Sequence, residues 1–193
     1  MPPSAVSYLK PVPNPPDQLE GLFQEHADKI IRVAYRITGS LGDAEDVLQT
    51  VFLRLARRKG DVGVLPNAWS YLHRAAINGA LDLVRRRKWA SAVHLEGSSA
   101  QLIESPSPGP EAQHRDRELQ GLIRRAVAAL GSKTAEMFVL RYFEGFGNRE
   151  IAQMMGTSPM VVAVVLHRAR RQVRQEIGKL LEGHYEANER RPG

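Results

Sequence analysis

The sequence predicts an all-α protein with two small helical domains joined by a flexible linker. Apolar residues recur at helical spacing from about residue 17 to 89, and again from about 115 to 181. Between these segments the period disappears, and residues 91–113 are rich in Gly, Ser and Pro, a composition typical of a linker. Neither half shows the two-residue alternation of a β-strand.

Composition limits the functions that the chain can have. The 193 residues carry a formal net charge of +6 and a pI near 9.9, which favours a polyanionic partner such as nucleic acid. The sequence contains no cysteine, which excludes disulfides, thiol nucleophiles and cysteine-ligated zinc. No apolar run approaches the roughly 20 residues of a membrane span, and the N-terminus lacks the apolar core of a signal peptide. We therefore expect a cytoplasmic protein without membrane insertion.

The N-terminal half is expected to contain three helices. The proline-rich residues 1–16 predict a disordered arm, and residues 17–90 predict the first domain. The first helix should end near Gly39, Asp43 can cap the second, and Pro66 can open the third. The second helix has an apolar stripe formed by Ala44, Val47, Leu48, Val51, Phe52 and Leu55.

The other face of the second helix is polar and includes Asp46, Gln49, Thr50 and Arg54. Such a face either binds a partner or is simply solvated, and this segment alone leaves both interpretations open.

The third helix combines aromatic residues with a run of cations, Arg85 to Lys88, near its end. Because bases stack on aromatic rings while cations follow phosphates, Trp69 and Tyr71 beside this run indicate single-stranded nucleic-acid binding. Two other interpretations remain open: Trp69 can belong to the core, and the cations can form a solvated helix end.

The C-terminal half predicts a second domain over residues 115–182, preceded by the linker, 91–114, and followed by a polar tail, 183–193. Glycines divide this domain into four helices, with breaks at Gly131-Ser132, Gly145-Phe146-Gly147 and Gly156.

The last two of these helices form a helix-turn-helix pattern over residues 149–171, with its turn at Gly156. Ser158 and Pro159 mark the start of the second helix, because Ser is a favoured N-cap and Pro a favoured first helical residue. In a helix-turn-helix the second helix lies in the DNA major groove.

Three segments together carry a resemblance to a known family. They read LFQEHADKIIRVAYRITGSLGDAEDVLQTVFLRLARR, NAWSYLHRAAINGALDLVRRR and LGSKTAEMFVLRYFEGFGNREIAQMMGTSPMVVAVVLHRARR. In this order they resemble the extracytoplasmic-function (ECF) group of sigma-70-type RNA polymerase sigma factors. The first resembles the block that binds the clamp helices of the polymerase β′ subunit, the second the block that reads and opens the −10 promoter element, and the third the −35-binding domain.

This resemblance implies a transcription initiation factor with core RNA polymerase (β′ clamp helices and β flap) and promoter DNA as partners, and an anti-sigma factor as a further candidate partner. It implies no catalytic residues, no metal and no cofactor. The implied polymerase contacts are Asp46, Gln49, Phe52, Leu53 and Arg54, although Phe52 can equally be a core residue. The implied −10 contacts are Trp69, Tyr71, Arg74, Asn78, Asp82, Arg85, Arg86, Arg87 and Lys88.

The recognition helix departs from the family pattern. Where the family usually has Lys, Ser and Arg, this chain has Ala163, Val164 and Val165. Either −35 recognition is weakened, or the apolar run packs against a neighbouring helix. The candidate −35 contacts are Arg149, Met160, Ala163, Val164, His167, Arg168 and Arg171.

Two hypotheses cover the whole chain. The first is an initiation factor that recognises and melts the −10 element, with −35 recognition weakened. The alternative is a sigma-like interaction module that binds polymerase or a protein partner without reading a −35 sequence. A response-regulator-like DNA-binding protein would explain only the C-terminal half. An enzyme is not expected, since the sequence has no Walker loop, dinucleotide fingerprint or HExxH motif.

Overall fold

The computed structural model describes residues 15–57, 67–94 and 111–189, and these residues form seven α-helices without a β-strand. The predicted all-α class is confirmed. The helices are α1 (Pro15–Thr38), α2 (Leu41–Ala56), α3 (Ala68–His94), α4 (Glu111–Ala128), α5 (Ser132–Tyr142), α6 (Asn148–Met155) and α7 (Pro159–Glu189).

Several helices extend beyond the limits that the sequence predicts. Helix α3 continues to His94 and α4 begins at Glu111, both inside the predicted linker, and α7 continues to Glu189 in the predicted tail. Helix propagation adds one hydrogen bond for each residue fixed, so a packed helix can continue past its last core contact. Most of the predicted arm, Pro66 and linker residues 95–110 lie outside the described residues.

The turn between α1 and α2 corrects one prediction. Gly39, with a φ of 75°, ends α1, and Ser40 is the N-cap of α2. The hydroxyl of Ser40 accepts a hydrogen bond from the backbone N–H of Asp43 at 3.4 Å. The prediction that Asp43 caps α2 is therefore wrong. Asp43 lies buried in the first turn, where Arg87 donates to its carboxylate.

The N-terminal half is a three-helix unit in which α1, α2 and α3 all contact one another. The side chain of Asn67 precedes α3 and accepts a hydrogen bond from the N–H of Ser70 at 2.9 Å, which satisfies one of the free donors of the first turn. The predicted apolar stripe of α2 is confirmed, because Ala44, Val47, Leu48, Val51, Phe52 and Leu55 are all buried.

The C-terminal half contains the predicted helix-turn-helix in α6 and α7. Gly156 has a φ of 62° and ends α6 in the left-handed conformation. Ser158 then accepts a hydrogen bond from the N–H of Val161 at 3.3 Å and caps α7, as its sequence position predicts. Helices α4, α5 and α6 all pack on α7.

The two halves are docked on each other, with α3 of the N-terminal half against α4 and α5 of the C-terminal half. Buried apolar residues from both halves belong to one contiguous cluster. This docked form is called the closed arrangement below.

Substitution of two glycines in the C-terminal half can test the turn of the helix-turn-helix. We expect Gly156→Ala to lower the free energy of unfolding by roughly 1–2 kcal/mol, because an L-residue is strained at positive φ. The matched control is Gly178→Ala inside α7, which should raise it by roughly 0.5–1 kcal/mol. A Cβ at either position meets no heavy atom within 4 Å, so only the backbone conformation differs. Urea unfolding followed by circular dichroism measures both, and equal effects would contradict the left-handed turn.

Candidate polymerase and nucleic-acid interfaces

The outer face of α2 exposes most of the residues implied for polymerase binding. Asp46, Gln49 and Arg54 are exposed, and Leu53 is 54% exposed, an unusual value for a leucine on a helix whose other face is core. Their spacing places them together because residues three and four apart share a face of a helix.

Phe52 lies on the inner face of the same helix and is only 8% exposed. Its ring packs edge-on against Phe23 with the centroids 5.0 Å apart. Of the two interpretations that the sequence left open for Phe52, the structure supports the core residue.

The −10 block lies on α3, and its uncharged members are half-buried. Trp69 packs against the rings of His26 and His73, with centroid distances of 5.4 and 4.3 Å, and the Lys29 ammonium lies 5.1 Å from its ring centre. Tyr71 and Asn78 are also half-buried. The indole of Trp69 is thus already in contact with other side chains.

The charged members of the block divide into two groups. Arg86 is exposed, whereas Arg74, Arg85 and Arg87 are bound within the chain, Arg87 by Asp43 of α2. Asp82 is exposed and accepts a hydrogen bond from Arg85 at 3.1 Å. The side chain of Lys88 lies outside the described residues.

Arg74 and Arg85 are bound by the C-terminal half. Arg74 donates through Nε to a carboxylate oxygen of Glu136 at 2.5 Å and through Nη1 to the carbonyl of Met154 at 2.9 Å. Arg85 donates to the carbonyls of Ala128 at 2.9 Å and Leu130 at 3.0 Å.

Two more arginines bridge the halves near the end of α1. Arg36 donates to the carbonyl of Phe143 at 3.0 Å and to the carboxylate of Glu144 at 2.6 Å. In the opposite direction, Arg124 of α4 donates to the carbonyl of Arg36 at 3.0 Å. Its guanidinium lies so close over Gly39 that a Cβ there would be 2.4 Å from Nη1.

These contacts share one chemistry: each guanidinium meets main-chain carbonyls at the C-terminal end of a helix on the other half. Such carbonyls lack intrahelical donors and carry the negative end of the helix dipole, so they attract cations. The four residues, called the interdomain arginines from here, are Arg36, Arg74, Arg85 and Arg124.

His73 occupies the centre of the docked surface and is 1% exposed. Its ring lies between Trp69 and Phe146, whose centroid is 5.7 Å away. Burial, assisted by the positive charge of Arg36, lowers the pKa of His73 from 6.5 to about 4. Glu144 lies 3.5 Å from Nε2, but Arg36 already binds its carboxylate. His73 is therefore a neutral aromatic spacer near pH 7.

The recognition helix exposes the apolar surface that its sequence predicts. Met160 is 76%, Val161 45% and Val164 44% exposed. On the inner side of the same helix Val162, Leu166, Ala169 and Val173 are buried, and Ile177 is half-buried. Among the residues that the structure describes, no helix covers the exposed apolar surface. Arg149, Ala163, His167, Arg168 and Arg171 are exposed, while Val165 is half-buried against the core.

An open cleft of about 260 Å³ lies beside this helix. Arg141 and Arg170 line this cleft, so it suits a polyanion better than an apolar ligand. The lining residues are Arg141, Tyr142, Asn148, Ala163, Leu166, His167 and Arg170.

Within the described ranges, no group of three or more His, Asp or Glu side chains is close enough to hold a metal ion. A search of the same residues finds no helix with the length and apolarity needed to cross a membrane.

Sequence reasoning missed the partners that bind the arginines. Glu136 carried a signal, because it is a charged residue inside the otherwise apolar run Ala135–Leu140 and is only 3% exposed. Arg36, Arg124 and Glu144 carried none, since their roles depend on contacts about 90 residues or more away in the sequence.

A helix-turn-helix beside a second unit whose long helix carries a run of cations is typical of DNA-binding proteins. Comparison with family models identifies the family. Residues 22–90 match sigma-70 region 2, and residues 120–173 match sigma-70 region 4.

Relatives with similar sequences support the same family. The chain is 32% identical over 161 residues to the ECF RNA polymerase sigma factor SigE of Mycolicibacterium smegmatis, covering 82% of this chain and 61% of that protein. It is 31% identical to the RNA polymerase sigma-E factor of Streptomyces coelicolor, covering 83% of this chain and 86% of that one. The chain belongs to the ECF group of the sigma-70 family, whose members are non-enzymatic transcription initiation factors that bind core RNA polymerase and promoter DNA.

Structural comparison pairs the chain with the sigma factor RpoE in its co-crystal structure with the anti-sigma factor NepR from Bartonella quintana. The two chains are 17% identical, with a TM-score of 0.48, over 83% of this chain and 97% of that one.

The lowered pKa of His73 predicts that the stability of the chain depends on pH. Its pKa is about 4 in the folded chain and 6.5 when unfolded, so between these values the unfolded state binds more protons. The free energy of unfolding should therefore fall as the pH falls through this window. His73→Phe keeps an aromatic ring but has no group that titrates in this window. Between pH 7 and pH 4 its free energy of unfolding should therefore fall by roughly 2–3 kcal/mol less than that of the native chain.

Urea unfolding at a series of pH values measures this difference, and the shared carboxylate titrations cancel in the comparison. His167→Gln at the exposed surface of α7 is the control and should follow the native chain. Identical pH profiles for the native chain and His73→Phe would contradict a buried, neutral His73.

Proposed function

We propose that this sigma factor grips core RNA polymerase with the outer face of α2, reads the −10 element with α3, and makes only weak contact with the −35 element through α7. In this proposal, residues 17–90 form the polymerase and −10 unit and residues 115–182 the helix-turn-helix unit. The observation that carries it is the exposed α2 face around Leu53, because it is the part of the implied interface already free to bind in the closed arrangement.

The α2 face suits a protein partner. It offers a negative charge at Asp46, an amide at Gln49 and a positive charge at Arg54 around the apolar Leu53. An apolar contact surrounded by polar groups is the usual composition of a protein interface. By family resemblance, the partner surface is the clamp-helix segment of the β′ subunit.

The −10 unit has the residue types that single-stranded DNA requires. Trp69, Tyr71 and Asn78 supply stacking and hydrogen-bonding groups, and the exposed Arg86 can follow phosphates. Arg74 and Arg85 are bound by the C-terminal half in the closed arrangement.

The −35 contact is weak in this proposal because the groove-facing surface is apolar. A good base contact contributes about 1–3 kcal/mol of discrimination, within a specific-over-nonspecific gap of about 4–10 kcal/mol. Val164 and Ala163 can still touch thymine methyl groups, and Arg168 and Arg171 can bind phosphates. Attachment to polymerase through α2, together with contact to the β flap, compensates for weak intrinsic affinity by raising the effective concentration.

The same proposal includes a cytoplasmic location, where core polymerase and promoter DNA are found, and no catalytic step performed by this chain. It also leaves an anti-sigma factor as a candidate regulator that competes with polymerase.

A second candidate function follows from one observation, the exposure of Met160, Val161 and Val164. Contiguous exposed apolar side chains more often contact protein than DNA. In this alternative, the chain binds polymerase or a protein regulator through its folded units and reads no −35 sequence.

Polymerase binding can be tested at Leu53 and Arg54. We expect Leu53→Ala and Arg54→Ala each to weaken binding to core polymerase roughly tenfold, because each removes a contact from the centre of the proposed face. Leu181→Ala, at a leucine that is 41% exposed on α7, is the matched control and should leave binding unchanged. Co-elution with core polymerase and run-off transcription provide the measurements. Failure of the native chain to bind core polymerase would overturn the proposal.

The recognition helix tests the weak −35 contact. Footprinting of the reconstituted holoenzyme should show little protection at −35 with the native chain. Ala163→Lys combined with Val164→Ser should raise the preference for a specific −35 sequence over random DNA by roughly tenfold, the size of one base contact.

Gln172→Lys adds the same charge further along α7 and should raise DNA affinity without sequence preference. Strong protection of a defined −35 site by the native chain would contradict the weak −35 contact and would also eliminate the interaction-module alternative.

A further inference from the structure

The exposed face of α7 changes in character along its length. Met160, Ala163 and Val164 are exposed on its first two turns, with Met160 at 76% and Val164 at 44%. These three residues are called the apolar triad from here. Because residues three and four apart share a face of a helix, the same face continues with the exposed His167 and Arg171 on the next two turns. One helix face thus presents apolar side chains first and cations after them.

The apolar triad lies in the part of a recognition helix that meets base edges. Gly156 makes the turn before α7 and Ser158 caps the helix, so the triad follows the turn directly. In a helix-turn-helix, the N-terminal residues of the second helix contact bases in the major groove. Thymine presents an apolar group there, its C5-methyl, against which alanine and other apolar side chains pack. The triad therefore matches thymine methyl groups better than it matches the hydrogen-bonding groups of the other bases.

The charges around the apolar triad suit a polyanion. Arg168 and Arg171 are exposed further along α7. Arg141 and Arg170 line the cleft beside the same helix. Residues 151–175 contain neither Asp nor Glu, so this segment has no acidic side chain to repel a phosphate. An apolar patch bordered by cations is complementary to a DNA groove, in which thymine methyl groups lie between two phosphate backbones.

We infer that α7 reads DNA through thymine C5-methyl groups, with Met160, Ala163 and Val164 as the residues that determine this preference. The exposed cations bind phosphates and add affinity for any sequence, whereas the apolar triad discriminates between bases. The inference rests on the proposed −35 contact and names the chemical group that this contact reads. Because the face is exposed in the closed arrangement, the free chain already presents it and binding can be measured without polymerase.

A pair of DNA duplexes that differ only in methyl groups provides the test. Both are short and labelled with fluorescein; one has a central run of A·T pairs, and the other has uracil in place of each thymine. Uracil lacks the C5-methyl but keeps the charge and the base pairing. We expect the full chain to bind the thymine duplex roughly tenfold more tightly, the effect of two buried methyl groups at roughly threefold each. Fluorescence anisotropy at low salt measures both affinities.

The reverse change adds methyl groups to DNA that has none in the major groove. A duplex with a central run of G·C pairs carries cytosine in one version and 5-methylcytosine in the other. The full chain should bind the methylated version roughly tenfold more tightly, because the added methyl is also at C5. The two versions carry the same charge, so the contribution of the phosphate contacts cancels in the comparison.

Variants of α7 assign the preference to the apolar triad. When Met160→Ser is combined with Val164→Ser, the ratio of thymine-duplex to uracil-duplex affinity should fall from roughly tenfold to roughly one. Leu181→Ser, at another exposed apolar residue of α7, is the control and should leave the ratio unchanged. Arg168→Gln should weaken binding to both duplexes by the same factor, because a phosphate contact does not depend on the base. A folding defect would also change both affinities together, so it would not move the ratio.

Equal affinity of the native chain for duplexes with and without the methyl groups would overturn the inference and would leave a protein as the occupant of the apolar triad. A native chain that binds none of the duplexes would overturn it as well, and so would a double-serine variant that keeps the thymine preference. The proposed function fails on a different measurement, co-elution with core polymerase. A chain that fails there but prefers thymine still supports the inference, so the two failures are distinguishable.

Discussion

The closed arrangement depends on arginine side chains that reach main-chain carbonyls at the ends of helices. The last carbonyls of any helix lack intrahelical partners, and burying them without a donor is costly. Here guanidinium groups from the opposite half supply those donors to α1, α4, α5 and α6. The docking of the two halves and the completion of these helix ends are therefore the same set of hydrogen bonds. A contiguous apolar cluster from both halves lies beneath these hydrogen bonds.

With the two halves docked in this way, the three candidate interfaces differ in how exposed they are. The face of α2 is exposed, the arginines of α3 are occupied, and the recognition helix presents apolar side chains to solvent. The fold thus leaves one of the implied interfaces exposed, binds part of the second within the chain and exposes the third.

Local patterns predicted the elements of the fold well. The apolar stripe of α2, the glycine breaks of the C-terminal half and the Ser158-Pro159 start of α7 appear where the sequence indicates. One prediction failed because two neighbouring residues could fill the same position. Asp43 was a plausible cap, but Ser40 already fills that position, and the Asp43 carboxylate pairs with Arg87. The two interpretations of Phe52 could not be separated from its helical position alone, because it borders both the apolar stripe and the polar face.

The sequence by itself determined the helical class, the family and the residue types of each surface, because these follow from periodicity, capping and motif spacing over short distances. It also determined that the recognition helix is apolar. Only the tertiary structure decided which of those residues are available. Arg74 and Arg86 are both basic residues of α3, yet one is bound across the interface and the other is exposed. That difference is set by Glu136 and the end of α6, which the fold brings from more than 60 residues away. The charge of an arginine follows from its sequence, whereas the availability of its hydrogen-bond donors depends on the groups that the fold packs beside it.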